Sequence, residues 1–351
     1  MRSLEGDSTV PAPLDLTSSE VMLSRDHDPL HLLAEHRSGE VVRIEHGAYL
    51  SVHRLRELEG WRRSTTVLRA RCVADAARLS PQTVFSHVTA AALLGLWVPP
   101  RIEVVHVTQT FKTKSQRDTI VRHHRPLSDD DITQIDGVLV TGLTRTVIDC
   151  ITSLPVEWAL AVADSAMRLR LPPRRRDQPH DRDEVEALRE EWVRYLAQLG
   201  PMRGCRQARD ILRRADPGSE SPGESRLRCV ALAAGLPAPI LQMPVHTAEG
   251  LFHADFGWAL GPPHDRTFAC VEFDGRGKYE DPSEQSREEA RQSAIIAAGH
   301  RLERFSGEDL LNEVRHLILP RLFALVPELV EAREPVVHLN PRPPRRRNRR
   351  L

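Results

Sequence analysis

The chain has 351 residues, and its 49 Lys and Arg residues balance 49 Asp and Glu residues, so the formal net charge is zero. A chain of this length can bury the cores of two or more domains, whereas zero net charge excludes an overall field that attracts nucleic acid or a membrane. The five cysteines are scattered without a CxxC pair, and no apolar stretch has signal-peptide or membrane-spanning length. We therefore expect a cytoplasmic protein with reduced thiols and no membrane partner.

The N-terminal elements predict a small α+β unit after a flexible leader at residues 1–15. Asp28–Pro29 is a typical helix start, and Gly39 ends that helix. Two short strands are expected on either side of the tight turn His46–Gly47. A helix followed by a small hairpin is how a winged-helix module ends, and any small α+β unit explains the pattern equally well. We assign residues 16–80 to a winged-helix-like DNA-binding region.

Residues 81–170 are predicted to form an α/β domain. A helix begins after Ser86, and strands and further helices follow it. His123 and His124 are neighbours on one predicted strand, where successive side chains point to opposite faces, so the two cannot easily share one metal ion. We interpret both as structural or surface histidines.

Composition changes abruptly at residues 171–184, where prolines, arginines and mixed charges predict a linker. Helical spacing returns in residues 185–220, which we interpret as a helical connector. Residues 331–351 form a basic tail that we expect to be disordered. It either contacts phosphates without sequence preference or only raises solubility. The candidate DNA contacts in the tail are Arg345, Arg346 and Arg347.

The most informative stretch is a predicted hairpin near the C-terminus. Phe252–Trp258 and Thr267–Phe273 have the composition and alternation of strands, and a polar turn with proline joins them. Counting outward from that turn places Leu260 opposite Thr267.

Three acidic side chains converge at one end of this hairpin. The same counting places Asp255 opposite Glu272, and Asp274 projects from the same strand face as Glu272 because it lies two residues further on. Like charges this close are costly when buried, and a divalent cation is the usual compensation. The pattern therefore predicts a metal site.

Mg²⁺ is the cation that suits this chemistry. It prefers hard oxygen ligands and retains several waters, so Asp255, Glu272 and the main-chain carbonyl of Phe273 form a sufficient set. Bound there, it neutralises a phosphodiester, positions the attacking water and lowers the pKa of that water. Glu224 is a candidate for holding a metal-bound water or a second ion, and Lys278 for steadying the nucleophile or a phosphate.

These residues also have ordinary structural explanations. Asp255 and Glu272 can be strand-end carboxylates at a solvated rim. Position N3 of a capping box accounts for Glu224, a turn accounts for Asp274, and solvent exposure accounts for Lys278.

Two arginines on the next predicted helix have alternative roles as well. Arg287 and Arg291 are four residues apart, so both can contact phosphate from one helix face. They can equally pair with Glu284 and Glu288. Ser306 is expected to cap the last helix.

From Ser221 onward the predicted order is α-β-β-β-α-β-α. Four segments carry a resemblance: Glu224–Leu227, Asp255–Trp258, Val271–Gly275 and Arg304–Phe305. With them, Gly223–Asp309, within a domain assigned to residues 221–330, resembles the PD-(D/E)XK nuclease-like fold, and most closely the compact group similar to very-short-patch-repair endonucleases. The resemblance implies Mg²⁺-dependent DNA cleavage. The third motif position, usually lysine in that superfamily, is Asp274 here, and Lys278 is the candidate substitute.

The N-terminal half is similar to a second family. The matching segments are Glu40–Arg43, His46–Tyr49, Ser86–His87, Leu93–Gly95 and Thr144–Asp149. They resemble AbiEi-type antitoxins of type IV toxin–antitoxin systems. The resemblance implies a winged-helix DNA-binding start, an α/β domain and a regulatory role, with a cognate toxin as a further partner.

The sequence therefore predicts an α/β protein with an AbiEi-like N-terminal region and a restriction-endonuclease-like αβββαβ domain. The leading function is a Mg²⁺-dependent DNA endonuclease in defence or DNA processing. The alternative is a non-catalytic DNA-binding regulator or antitoxin that keeps a degenerate nuclease fold. A third class, a protein-binding module, would show no salt-dependent affinity for DNA.

Overall fold

The computed structural model describes residues 21–56, 58, 60–111, 118–135, 137–172, 180–262, 264–274, 282–311, 315–331 and 333–339, with the main chain alone at 54, 60, 61, 282–288, 315 and 337. The chain divides into two compact units, Met1–Ser153 and Leu154–Leu351. Both mix helices with sheet, and the described residues form three sheets, which is the predicted α/β class. Among the helices described, each is too short or too polar to span a membrane.

The first unit begins with a three-stranded sheet and its helices. The elements are β1 (Met22–Leu23), α1 (Pro29–Ser38), β2 (Val41–Glu45), β3 (Ala48–Ser51), α2 (Val52–Arg56) and α3 (Gly60–Ala76), and the strand order is β1-β3-β2. The predicted helix start is confirmed, because the Asp28 carboxylate accepts a hydrogen bond from the main-chain N–H of Leu30 at 2.9 Å. Gly39 ends the helix at a φ of 82°, a conformation that favours glycine.

The same unit contains a five-stranded mixed sheet. Its elements are β4 (Val84–Phe85), α4 (His87–Leu93), β5 (Val105–Gln109), β6 (Ile120–His124), β7 (Ile132–Ile135), β8 (Val138–Thr141) and α5 (Leu143–Ser153). The strand order is β6-β5-β4-β8-β7, with β5 and β6 parallel. β4 and β7 were not predicted, since β4 has only two residues and the four residues of β7, ITQI, do not alternate between apolar and polar.

The second unit starts with four helices: α6 (Val156–Arg170), α7 (Arg182–Gln198), α8 (Cys205–Leu212) and α9 (Pro222–Ala233). The division between units falls before α6 rather than at the predicted linker 171–184. Residues 173–179 of that linker lie outside the described residues, and α7 has already begun at Arg182.

A four-stranded sheet follows, built from β9 (Ile240–Thr247), β10 (Gly250–Leu260), β11 (Thr267–Asp274), α10 (Pro282–Ala297), β12 (Arg301–Ser306), α11 (Ile318–Leu325) and α12 (Pro327–Val330). Its order is β12-β11-β10-β9, and among the strand pairs described β11 and β12 are parallel while the other two are antiparallel. The predicted order α-β-β-β-α-β-α from Ser221 onward is confirmed. The predicted cap at Ser306 is wrong: its hydroxyl accepts from the main-chain N–H of Glu308 in a turn, and the next α-helix begins at Ile318.

Each face of this sheet has its own apolar core. One core joins Leu227 of α9 to Phe256, Val271 and the α11 side chains. The other joins Ala254 and Cys270 to Ile295 of α10 and to β9. The sheet is therefore covered on both faces, and polar groups inside it need specific partners.

Candidate active site

Glu224 lies in the first turn of α9, where the sequence predicts a helix start. Ser221 is the N-cap, and its hydroxyl accepts a hydrogen bond from the main-chain N–H of Glu224 at 3.2 Å. The Glu224 carboxylate accepts from the main-chain N–H of Glu220 at 2.8 Å, not from the cap residue as a capping box requires. The cap therefore accounts for the hydrogen bond of the Glu224 main-chain N–H. It does not account for the Glu224 side chain, which is buried within the domain.

The start of α9 lies directly against β11. A Cβ atom at Gly223 would be 1.9 Å from Cε1 of Phe273, so a side chain at this position would collide with the aromatic ring. Glycine allows the helix end and the strand to approach this closely. This contact brings the Glu224 main chain to the strand that carries the predicted metal ligands.

Asp255 is the acidic residue that interacts with Glu224. Its Oδ2 accepts a hydrogen bond from the main-chain N–H of Phe273 at 2.6 Å. Burial raises the pKa of Glu224 to about 8, and the negative charge of Asp255 is the second cause. Glu224 and Asp255 therefore interact electrostatically next to the close contact of α9 with Phe273, an arrangement that an added cation would stabilise.

The hairpin register agrees with the prediction over its described pairs. Leu260 is opposite Thr267, and the pairing continues to Phe256 opposite Val271. Asp255 and Glu272 are the next residue on each strand.

β10 changes face at Asp255. Ala254 contacts the core on the α10 side, whereas Phe256, two residues later, belongs to the core on the α9 side. Strand alternation would place both on one face. Gln242, on the neighbouring strand β9, has a φ of 45°. It lies between Met243, which pairs with Ala254, and Leu241, which pairs with Phe256. Asp255 therefore leaves regular alternation, and counting from the turn could not give the direction of its side chain.

Glu272 is compensated by two arginines. Nη2 of Arg291 lies 2.7 Å from its Oε1, and Nη2 of Arg304 lies 3.2 Å from its Oε2. Arg304 is the partner of Glu272 on the parallel strand β12, and Arg291 extends from α10. Arg291, a candidate DNA contact, is thus engaged within the domain and also donates to the main-chain oxygen of His253.

The other predicted residues have less defined surroundings. Asp274 is the last residue of β11 and is opposite Ser306 of β12. Arg287 belongs to α10, but its side chain is not among those described. The remaining candidates lie outside the described residues: Lys278, Arg345, Arg346 and Arg347.

The described residues contain one set of three His, Cys, Asp or Glu ligand atoms that all lie within 4.8 Å of one another, and it is not the predicted acidic set. It consists of His87, His106 and His123. His123 and His124 were predicted to point to opposite faces, and that prediction says nothing about His123 and the two other histidines. The other two histidines come from a parallel strand and a helix start, and sequence spacing gives no signal for that packing.

A buried polar network holds α9 in place, and sequence patterns do not reveal this network either. Asp164 of α6 lies 2.6 Å from Nη2 of Arg228 and accepts a hydrogen bond from Ser225 Oγ at 2.7 Å. Asp164 also accepts from the main-chain N–H of Asp216 at 2.8 Å. Ser225 and Arg228 follow Glu224 on the same helix, so this network fixes the helix that carries Glu224.

Comparison with known proteins gives limited information on identity. No family model matches the chain. Two proteins of Mycobacterium tuberculosis, one from strain CDC 1551 / Oshkosh and one from strain ATCC 25618 / H37Rv, are 29% identical to it over 167 residues, and both are described as uncharacterized. The match covers 47% of this chain and 54% of each relative, so the chain spans about half the length of the curated relatives it matches.

Proposed function

We propose that residues 221–330 form a Mg²⁺-dependent endonuclease-like domain that acts on DNA. The observation that carries the proposal is the pair of carboxyl groups of Glu224 and Asp255, which interact beside Phe273 on neighbouring elements of an αβββαβ fold. The order of elements agrees with the resemblance to PD-(D/E)XK nucleases and supports the assignment. A cation with oxygen ligands is the natural compensation for such a pair.

In this proposal the carboxylates of Glu224 and Asp255 and the main-chain carbonyl of Phe273 would hold Mg²⁺, which would polarise a water and neutralise charge on the phosphate. In-line attack by that water on phosphorus would break the bond to one ester oxygen; the water would release a proton to solvent and the departing oxygen would take one up. The hydrogen bond that Asp255 accepts from the main-chain N–H of Phe273 positions its carboxylate at β11 for this role.

The two arginines at Glu272 have a role in substrate binding in the same proposal. A phosphate that reaches Arg291 or Arg304 competes with Glu272 for the guanidinium group. Planar, charge-assisted pairing of arginine with phosphate is strong enough to compete with a carboxylate. Binding of DNA then exchanges a Glu272 oxygen for a phosphate oxygen at one guanidinium group. Glu272 shares the face of Cys270 and α10, opposite to α9, so in this proposal it is a partner of the arginines rather than the metal ligand that the sequence predicts.

Plasmid cleavage tests this proposal. The purified chain is incubated with supercoiled plasmid in Mg²⁺ or in EDTA, beside Glu224→Gln, Asp255→Asn and the exposed control Glu249→Gln. We expect nicking that requires Mg²⁺ and that falls by about 100-fold or more in the first two variants, because each removes a metal ligand. Absence of Mg²⁺-dependent nicking by the parent chain, or equal nicking by all variants, contradicts the proposal.

Two observations favour a second function. Both carboxylate oxygens of Glu272 are ion-paired with arginine, and Asp274 occupies the position that is usually lysine in the resembled superfamily. This favours a non-catalytic DNA-binding regulator or antitoxin with a cognate toxin. It predicts salt-dependent DNA binding that is equal in Mg²⁺ and EDTA, without cleavage.

A further inference from the structure

Three histidines meet at one side of the five-stranded sheet in the first unit. His87 is the first residue of α4, His106 lies on β5 and His123 lies on β6. The ring centroids of His87 and His123 are 3.5 Å apart, those of His106 and His123 are 5.2 Å apart, and those of His87 and His106 are 5.7 Å apart. Three ring nitrogens, one per residue, lie within 4.8 Å of one another.

We propose that His87, His106 and His123 bind one Zn²⁺ ion. Three imidazoles with a fourth position left for water are a standard ligand set for zinc. Two zinc-bound nitrogens are about 3.3 Å apart when each bond is about 2.05 Å and the geometry is tetrahedral. Nδ1 of His106 and Nε2 of His123 are already 3.0 Å apart.

Burial disfavours the charged form of the three rings: it lowers the pKa of His87 to about 2, that of His123 to about 4, and that of His106. Neutral imidazole is the form that binds a metal. Nδ1 of His106 and Nε2 of His123 share a hydrogen bond, so one of these two nitrogens carries the proton between them, and that ring must change tautomer before both nitrogens bind zinc.

Polar groups occupy one nitrogen of His87. Oγ of Ser86 lies 2.9 Å from Nδ1, and the buried Asp149 Oδ2 lies 3.8 Å from the same nitrogen. Within the described part of the chain, no hydrogen bond uses Nε2 of His87, so Nε2 is the nitrogen left for a metal. Hydrogen bonding at the other ring nitrogen is common for metal-binding histidines.

Arg145 holds that carboxylate. Its Nε donates to Oδ2 of Asp149 at 3.1 Å, so the carboxylate charge is balanced without the histidines. The rings of His87 and His123 are stacked at an interplanar angle of 14°. Binding of all three to one ion therefore requires one ring to turn about its Cβ–Cγ bond, and the stack is lost.

Zinc titration tests the proposal. The full chain, prepared without a polyhistidine tag and stripped with EDTA, is titrated with Zn²⁺ in a calorimeter beside His106→Gln and His124→Gln. His124 is the matched control, since it is the exposed neighbour of His123 on β6. We expect one Zn²⁺ per chain, about 100-fold weaker binding in His106→Gln, and unchanged binding in His124→Gln, since loss of even an outer partner costs about 10–100-fold. No stoichiometric binding, or equal binding by all three proteins, overturns the proposal.

A second measurement covers the case in which His106→Gln does not fold. X-ray absorption at the zinc edge of the loaded parent chain should show three imidazole nitrogens at about 2.0–2.1 Å. A shell made of oxygen alone, or one that contains sulfur, overturns the assignment. The zinc proposal concerns the first unit and does not depend on the function proposed for residues 221–330.

Discussion

Asp255 and Glu272 both lie just beyond the last described pair of one hairpin, Phe256 and Val271. Their carboxylates nevertheless have different neighbours. Two arginines neutralise Glu272, whereas Asp255 interacts with a second carboxyl group, Glu224. The sequence identifies the acidic residues and their place in the hairpin. It could not identify the arginines as partners, because Arg291 and Arg304 reach Glu272 from a helix and a strand that only the tertiary packing brings close.

The raised pKa of Glu224 gives a pH dependence with a definite sign. The pKa is about 8 in the folded chain and 4.5 for the unperturbed group. Between these values the folded chain keeps a proton that the unfolded chain has released, so the free energy of unfolding falls as pH rises through this window. The slope from this residue is at most about 1.4 kcal/mol per pH unit.

Urea unfolding in EDTA at pH 5, 6, 7 and 8 measures this slope. Glu224→Gln has no charge to lose, so its stability should decline less over this range than that of the parent chain. Glu249→Gln, at an exposed turn, should decline in parallel with the parent. Parallel curves for the parent and Glu224→Gln would show that Glu224 does not titrate as described.

The buried ion pair of Asp164 and Arg228 gives a stability prediction. Arg228→Met removes the cation and leaves the Asp164 carboxylate uncompensated in a buried site. Breaking such a pair costs about 3–5 kcal/mol, whereas exposed pairs contribute about 0–1 kcal/mol. The exposed pair of Arg170 and Glu191 is the control. Chemical denaturation should therefore show a large loss for Arg228→Met and almost none for Arg170→Met, and equal losses would contradict the role of the network.

At the scale of elements, the hairpin was predictable because alternation and the turn fix the pairing. The pairing of Leu260 with Thr267 and the order of the elements after Ser221 follow from these patterns. The change of face at Asp255 was not predictable, and neither was the irregular main chain at Gln242 beside it in the neighbouring strand. The sequence shows the periodicity of a strand but not a local distortion of the sheet.

Gly223 provides a test of how closely α9 approaches β11. In Gly223→Ala the new Cβ would lie 1.9 Å from the Phe273 ring, so the ring or the helix start must move. We expect a loss of about 1–3 kcal/mol, the usual cost of overpacking. Gly307→Ala is the matched control, because a Cβ atom added at Gly307 would have no described atom of another residue within 4 Å beyond its chain neighbours. Equal stability of the two variants in thermal unfolding would contradict the close contact.

At the scale of the whole molecule, the two compact units carry separate sites. The sequence predicts the α/β class and the αβββαβ order of the second unit, but it places a boundary at 171–184 rather than after Ser153. Helix α6 lies in the second unit, where its Asp164 binds residues of α9 and of the segment before it. Composition alone does not show these contacts.

The three histidines illustrate the same limit. β5 and β6 pair in parallel, with Thr108 opposite His123, so His106 and His123 share one face of the sheet. Parallel pairing leaves no local turn from which a register can be counted. The sequence therefore contains each histidine in a recognisable element without showing that the three meet.

The most direct test of the central claim is the initial rate of plasmid nicking by the parent chain and by Asp255→Asn, measured at equal concentrations of folded protein in Mg²⁺. We predict a rate for the parent chain that EDTA abolishes, and a rate for Asp255→Asn that is lower by about 100-fold or more. A parent chain that binds plasmid but does not nick it in Mg²⁺ would contradict the nuclease proposal and favour the regulator.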